Sequence, residues 1–257
     1  MTDIPYLAGD VAAAAGVPAM AVCNFTWDWI YEPYCQSRGS SSDLLDRIRD
    51  GYSRIHTCLR LPFSHAFHTF QEVVDVPLVA RRSIREHTEI LRVAGLNAQD
   101  TRPRVLIGMR HSVSRNALLS IARNCGEFVF VVPEPTTSVP CENVYVAPVG
   151  GKLSFVDLFS VCDVVVCKLG YGILADSISC KTALLFPPRE GFREDEILYP
   201  EANRWARTLE ITQQDFRDGN WKPYLRNLIA MPLPIEEPRL DGARVCAQSI
   251  AKRLQGD

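Results

Sequence analysis

At 257 residues and a formal charge of -2, the chain has room for one large or two ordinary domains and no general attraction to nucleic acid or anionic membrane. Its 47% hydrophobic and 23% charged residues are those of an ordinary globular protein, and no apolar run reaches the roughly 18–20 residues needed to span a bilayer. Nine cysteines are scattered without a C-x-x-C pair, so zinc and redox chemistry are not expected; Cys23, Cys162 and Cys167 lie in apolar runs, where a reduced thiol acts as a small hydrophobe and suits a reducing cytosol.

Residues 1–6 carry no basic and apolar leader, so no signal peptide is expected. An alanine-rich helix is predicted over 7–15. A buried strand over 19–25, flanked by Gly16 and Pro18, is then the first strand of the chain. A sheet that starts there lacks its usual early members. The expectation is an incomplete N-terminal sheet whose edge is covered by a second copy or another partner. A short aromatic helix follows over 27–36, then a loop from Gly39 with Ser42 as a helix cap. Apolar residues at 44, 45, 48, 52 and 55 have helical spacing. A short strand over 58–63 ends at Pro62, and 64–76 matches no element. A charged helix is predicted over 83–93, with Gly95 at its C-terminal cap.

The polar stretch 97–103 separates two regions, so the domains are placed at 1–96 and 97–257. Beyond it the pattern is regular. Strands are predicted over 105–109, 128–132, 144–147, 164–167 and 183–186. Helices are predicted over 115–124, 155–161 and 173–180, with two or three more to finish. Strands bounded by glycine and proline and alternating with helices imply an α/β fold, a parallel sheet covered on both faces.

In such sheets ligands bind beyond the carboxyl ends of the strands. The turn Lys168, Leu169, Gly170, Tyr171, Gly172 lies at one such end and opens a helix. Its glycines allow close backbone approach, and the helix start offers N–H groups and a partial positive charge to a diphosphate. The bland alternative is a tight strand-to-helix turn, since a lone G-x-G is weak. Asp176, one turn on, is placed to accept from ribose hydroxyls. Arg189 and Glu190 belong to a charged loop past the next strand, where they touch a polar ligand or simply form local ion pairs. His111 follows a strand end. After the first strand, Asn24, Trp27, Asp28 and Trp29 offer an aromatic platform and a carboxylate that accepts a proton or orients a hydroxyl, or else a packed core. His65 and His68 lack a third ligand, so no metal is expected. Neither a G-x-S-x-G elbow nor a P-loop occurs.

Four stretches point to a family: 21–31 (AVCNFTWDWIY), 75–79 (DVPLV), 168–176 (KLGYGILAD) and 221–225 (WKPYL). In these the chain resembles glycosyltransferases of the GT-B type, in particular the glycosyltransferase-like domain that precedes the sugar kinase in plant L-arabinokinases and its stand-alone bacterial relatives. The resemblance implies an α/β, GT-B-like fold of two Rossmann-like parallel-sheet domains, with the N-terminal one truncated. It implies transfer of a sugar from a nucleotide-sugar, a UDP-sugar, to an unknown acceptor, with the nucleotide-sugar as co-substrate and neither metal nor other cofactor. Gly170, Tyr171 and Gly172 match the diphosphate turn. Asp176 stands where a ribose-binding Glu is usual, and Arg189 and Glu190 match the polar donor loop. Lys168, Arg110 and His111 complete the donor side. Asn24 and Trp27 fall on the acceptor side, and Asp28 is the candidate catalytic base. The family's glycine pair after the strand over 105–108 is replaced by Met109, Arg110 and His111. Together with the missing first glycine-rich loop, this keeps open a non-catalytic nucleotide-sugar-binding or protein-interaction module. A dinucleotide oxidoreductase is disfavoured, because no G-x-G-x-x-G follows the first strand.

Overall fold

The computed structural model describes residues 1–38, 42–109, 113–135 and 141–255. The chain divides into two compact units, Met1–Val79 with Pro238–Asp257, and Ala80–Glu237. This corrects the expected boundary. Residues 80–96 belong to the second unit, and the last helix belongs to the first. The polar stretch 97–103 is no linker but a tight loop, in which Asp100 accepts the Arg102 backbone N–H at 3.0 Å and its guanidinium Nη2 at 2.6 Å.

The first unit runs α1 (Leu7–Ala15), β1 (Met20–Cys23), α2 (Trp27–Arg38), α3 (Ser42–Ser53), β2 (Thr57–Arg60) and β3 (Glu72–Asp75), and recruits the C-terminal helix Gly242–Gln255. Its three strands form a parallel sheet in the order β1-β2-β3. Thr2 makes one parallel bridge to Ala21, so residues before α1 also touch β1. β3 lies in the segment that hydrophobic patterning leaves unassigned. As an edge strand it carries exposed Glu72 and Asp75, which pair across the register with Thr57 (2.7 Å) and Arg60 (2.6 Å) instead of entering a core. Side chains alternate along β2. Cys58 packs with Ala21, Cys23, Ile48, Tyr52 and Ile55 on one face, and Leu59 with Val76 and Cys246 on the other. The buried cysteines pack as small apolar groups, as expected, and burial pushes the Cys162 and Cys167 thiols well above their usual range.

The second unit runs α4 (His87–Val93), β4 (Arg104–Ile107), α5 (Arg115–Asn124), β5 (Val129–Pro133), β6 (Val144–Ala147), α6 (Phe155–Ser160), β7 (Val164–Val166), α7 (Tyr171–Cys180), β8 (Ala183–Phe186), α8 (Asp195–Trp205), β9 (Thr208–Glu210), α9 (Gln213–Asp218) and α10 (Lys222–Ala230); the C-terminal helix is α11. Its six strands are all parallel in the order β6-β5-β4-β7-β8-β9, which is the doubly wound arrangement. Central strands such as Val164–Val166 are fully buried, and they read as unbroken β-branched runs because helices cover both faces. Caps set the helix starts. Ser114 Oγ accepts from the Ala117 N–H at 3.2 Å, and Ser154 with Asp157 forms a capping box on α6. The expected helix over 83–93 begins only at His87, because Ser83 is drawn away by a 2.6 Å bond to Asp157. β9 is an edge strand of three residues, TLE, with one buried position, so it carries no apolar run like that of β7 to mark it in the sequence. The main core joins the sheet to α5 and α10 through Ile107, Ile121, Phe130, Val166, Leu185, Leu225 and the fully buried Trp221.

Candidate functional site

Strand order in the second unit reverses between β4 and β7, and α5 and α7 leave from their carboxyl ends. The crevice between two such strands is where an open parallel sheet binds its ligand. β4 exits through Gly108, whose N–H donates to the Val166 carbonyl at 2.7 Å. A Cβ at Gly108 would stand 3.0 Å from that oxygen, so glycine here serves the close approach of the two strands. Arg110 and His111, expected on the donor side, lie outside the described residues.

β7 exits through buried Cys167, exposed Lys168 and buried Leu169 to Gly170, the N-cap of α7. Gly170 has φ −169° and ψ 162°, extended backbone open to any residue. A Cβ at Gly170 or at exposed Gly172 would meet nothing within 4 Å. Most other described glycines have a local reason, Gly126 being an exception, with an open Cβ position and no positive φ. Gly16, Gly95 and Gly219 have positive φ, and a Cβ on Gly9 or Gly242 would strike backbone oxygen at 1.9 or 2.0 Å. Neither reason applies at 170 and 172, although a glycine in a helix costs up to about 1 kcal/mol relative to alanine. Their effect is to leave open space over the backbone at the α7 start. That terminus carries the positive end of the helix dipole, and Gly170 offers no side chain to cap it.

Tyr171 is half-buried beside the turn. Burial pushes its phenol well above the usual range, and the nearby Glu194 carboxylate adds to this. The loop after β8 therefore lies next to the turn, but it is folded on itself. Arg189 pairs with Asp195, lies 3.5 Å from Glu194 Oε2, and stacks over the Phe192 ring at 4.4 Å. Burial raises the Glu194 carboxyl above its ordinary range, against the pull of Arg189. Glu190 points outward and is exposed. The two expected loop residues thus part company: Arg189 is engaged within the protein, and Glu190 is available.

Asp176 departs from its expected place. Its side chain is 2% exposed, and its oxygens accept from the Arg81 backbone N–H at 3.3 Å, from Nε at 3.3 Å and from Nη2. The carboxylate is thus buried, and donors from one arginine hold both of its oxygens. Arg81 could not be found by pattern, since it lies 95 residues away in sequence.

In the first unit, Asn24 Nδ2 donates to the Pro62 carbonyl at 2.7 Å, closing the loop after β1. Trp27 stacks on Tyr31, with centroids 5.5 Å apart, and meets Phe25 edge-on. Its backbone N–H donates to the Tyr52 hydroxyl at 3.1 Å. Asp28 Oδ2 lies 3.5 Å from Arg49 Nε, while Oδ1 is buried without a hydrogen-bond partner. His65 stacks flat on Trp29 at 4.5 Å, and its Nε2 faces Thr26 Oγ1 at 3.2 Å. This use of His65 was not legible in sequence. Among the described residues, no three His, Cys, Asp or Glu side chains are placed to hold a metal ion, and no helix is long and apolar enough to cross a membrane.

The fold is that of the GT-B glycosyltransferases. The glycotransferase of kitacinnamycin superposes with a TM-score of 0.60 over 90% of this chain and 68% of its own, at 11% identity. The spinosyn forosaminyltransferase SpnP gives 0.57 over 86% and 64%, at 14% identity. The glycosyltransferase VinC, solved in complex with dTDP, gives 0.54 over 86% and 60%, at 19% identity. In sequence, the chain is similar along its entire length to L-arabinokinase of Arabidopsis thaliana, at 26% identity over 259 aligned residues, and it spans 24% of that protein's length. No protein-family model matches the chain.

Proposed function

We propose that the second unit binds a nucleotide-sugar, a UDP-sugar, with its diphosphate against the start of α7, and that the chain is a metal-independent glycosyltransferase acting on an acceptor still to be found. One observation carries the reading: Gly170 and Gly172 meet no conformational or packing need, yet they keep the backbone of a helix start open at the strand-order reversal. Lys168 and Glu190 are exposed near this turn and its neighbouring loop, and Tyr171 lies beside it. The dTDP held by VinC is a ligand of the same chemical class. Helix-dipole stabilisation of a departing diphosphate needs no metal. The test is calorimetric titration of the folded chain with UDP, with GDP as control. Micromolar binding of UDP supports the reading, and no binding of either nucleotide defeats it.

A second reading, a nucleotide-sugar-binding module without transfer activity, is favoured by Asp28. A catalytic base must meet the acceptor hydroxyl, but Asp28 Oδ1 is closed off from solvent and Oδ2 faces Arg49. UDP release that depends on an added acceptor, with the glycosylated acceptor formed in equal amount by the wild-type chain but not by Asp28→Asn, would support transfer. UDP binding without any turnover across a panel of acceptors would support the module.

A further inference from the structure

We infer that Asp176 is a positioning residue. With Arg81 it fastens segment 81–85 to α7, and it does not serve as a ribose ligand. The inference rests on bonds internal to the second unit and not on the donor reading.

The chain enters this unit at Ala80 and leaves it at Glu237. Immediately after entry it makes a run of side-chain anchors. Arg81 grips Asp176 with its backbone N–H and guanidinium. Arg82 Nε donates to Ser179 Oγ at 3.2 Å, and Ser83 Oγ donates to Asp157 Oδ1 at 2.6 Å. Arg85 Nε lies 3.7 Å from Asp157 Oδ2. Just before exit, Glu237 pairs with Lys181 at 2.6 Å and Glu236 with Arg204 at 3.0 Å. Asp176, Ser179 and Lys181 occupy the C-terminal half and cap of α7, so both passages of the chain are tied to the helix whose N-terminus forms the glycine turn.

Asp176 is the buried member of this set. A carboxylate out of water must be paired and hydrogen-bonded, and Arg81 supplies that. The backbone N–H of Arg81 can be reached only by an acceptor held close to the helix. Aspartate, one methylene shorter than glutamate, keeps its oxygens there. The Arg81 side chain is 61% exposed, so Arg81→Met opens no cavity but leaves the carboxylate unpaired, whereas Asp176→Asn leaves a solvated guanidinium; the two variants break the pair from opposite sides.

The experiment is hydrogen exchange by mass spectrometry on the free 257-residue chain, in wild type, Arg81→Met, Asp176→Asn and the double variant. Each single variant should lose about tenfold or more of amide protection over 81–85 and the C-terminal half of α7. The double variant should lose no more than either single, because both remove one interaction. Unchanged protection in a folded Arg81→Met chain, or losses that add in the double variant, would overturn the proposal. A second arm titrates Asp176→Asn with UDP and with pyrophosphate. A positioning role weakens both by the same factor or neither, whereas a loss confined to UDP would restore the ribose assignment and overturn ours. Failure of wild type to bind either ligand would defeat the donor reading alone, and the exchange data would still decide this one.

Discussion

A glycine is informative when nothing around it explains it. Gly172 has open space where its Cβ would be, so Gly172→Val should fold normally, with a midpoint within a few degrees of wild type. The added side chain stands over the α7 start, and UDP affinity should fall at least about a hundredfold. Parallel thermal melts and titrations check both halves of this expectation. Unchanged affinity in the folded variant would remove the site. Asp28 makes the complementary case. It is read as an acceptor-side base and not as a donor ligand, so Asp28→Asn should leave UDP affinity unaltered. An altered affinity would show that the carboxylate influences donor binding. Asp176 shows that residue type does not supply the partner: an acid one helical turn past a glycine turn suits ribose by chemistry, and in the fold it is buried against Arg81.

Elements are placed by a few contacts that tolerate no change of volume. α1 and α3 meet at Gly9 and Gly51, where a Cβ on Gly9 would come 1.9 Å from the Gly51 carbonyl oxygen. Gly9→Ala should therefore destabilise by about 1–3 kcal/mol, even though alanine is the better helix former. Urea denaturation measures this, and a gain in stability would mean that the helices separate freely. In the second unit, Trp221 at the start of α10 is fully buried, stacks on Phe216 at 5.3 Å and donates Nε1–H to the Phe216 carbonyl at 3.1 Å. Trp221→Ala should cost about 3–5 kcal/mol, because it removes a large apolar group and orphans that carbonyl. A loss under about 1 kcal/mol would show that the core refills.

For the molecule as a whole, carboxylates held below their ordinary range in both units, Asp75 and Asp157 among them, weaken the fold as they take up protons. Hydrogen bonds from the Arg102 side chain and backbone hold Asp100 at about 2. Burial would raise Asp157, but bonds from Ser83 and Ser154 and the charge of Arg85 outweigh it and leave the group below its ordinary value. Both are depressed relative to the unfolded chain. Their stabilisation is therefore present above about pH 4 and fades as pH falls toward 2. Glu194, raised by burial, acts in the opposite sense and favours the fold as it takes up its proton. Urea unfolding at pH 5 and pH 3 should show a net loss at the lower pH, and Asp157→Asn should flatten that slope. An unchanged slope in the variant would remove Asp157 from the account.

Period and punctuation alone locate α5 and β8 to the residue, since a buried strand between helices is an apolar run such as Ala183–Phe186, and helix starts are marked by a capping serine such as Ser114. The glycine turn and the helix it opens are legible for the same local reason. What the chain alone could not show is decided by distance in sequence. The division at Val79 and again at Pro238 depends on where two remote stretches pack, and a composition shift at 97–103 imitates a boundary without being one. β3 and β9 are edge strands, stabilised by a neighbour's backbone and not by their own patterning. Arg81 meets Asp176, and Glu237 meets Lys181, only because the folded chain brings them together. A carboxylate's chemistry follows from its type, but its partner and its burial belong to the tertiary structure, because desolvation and pairing are properties of place.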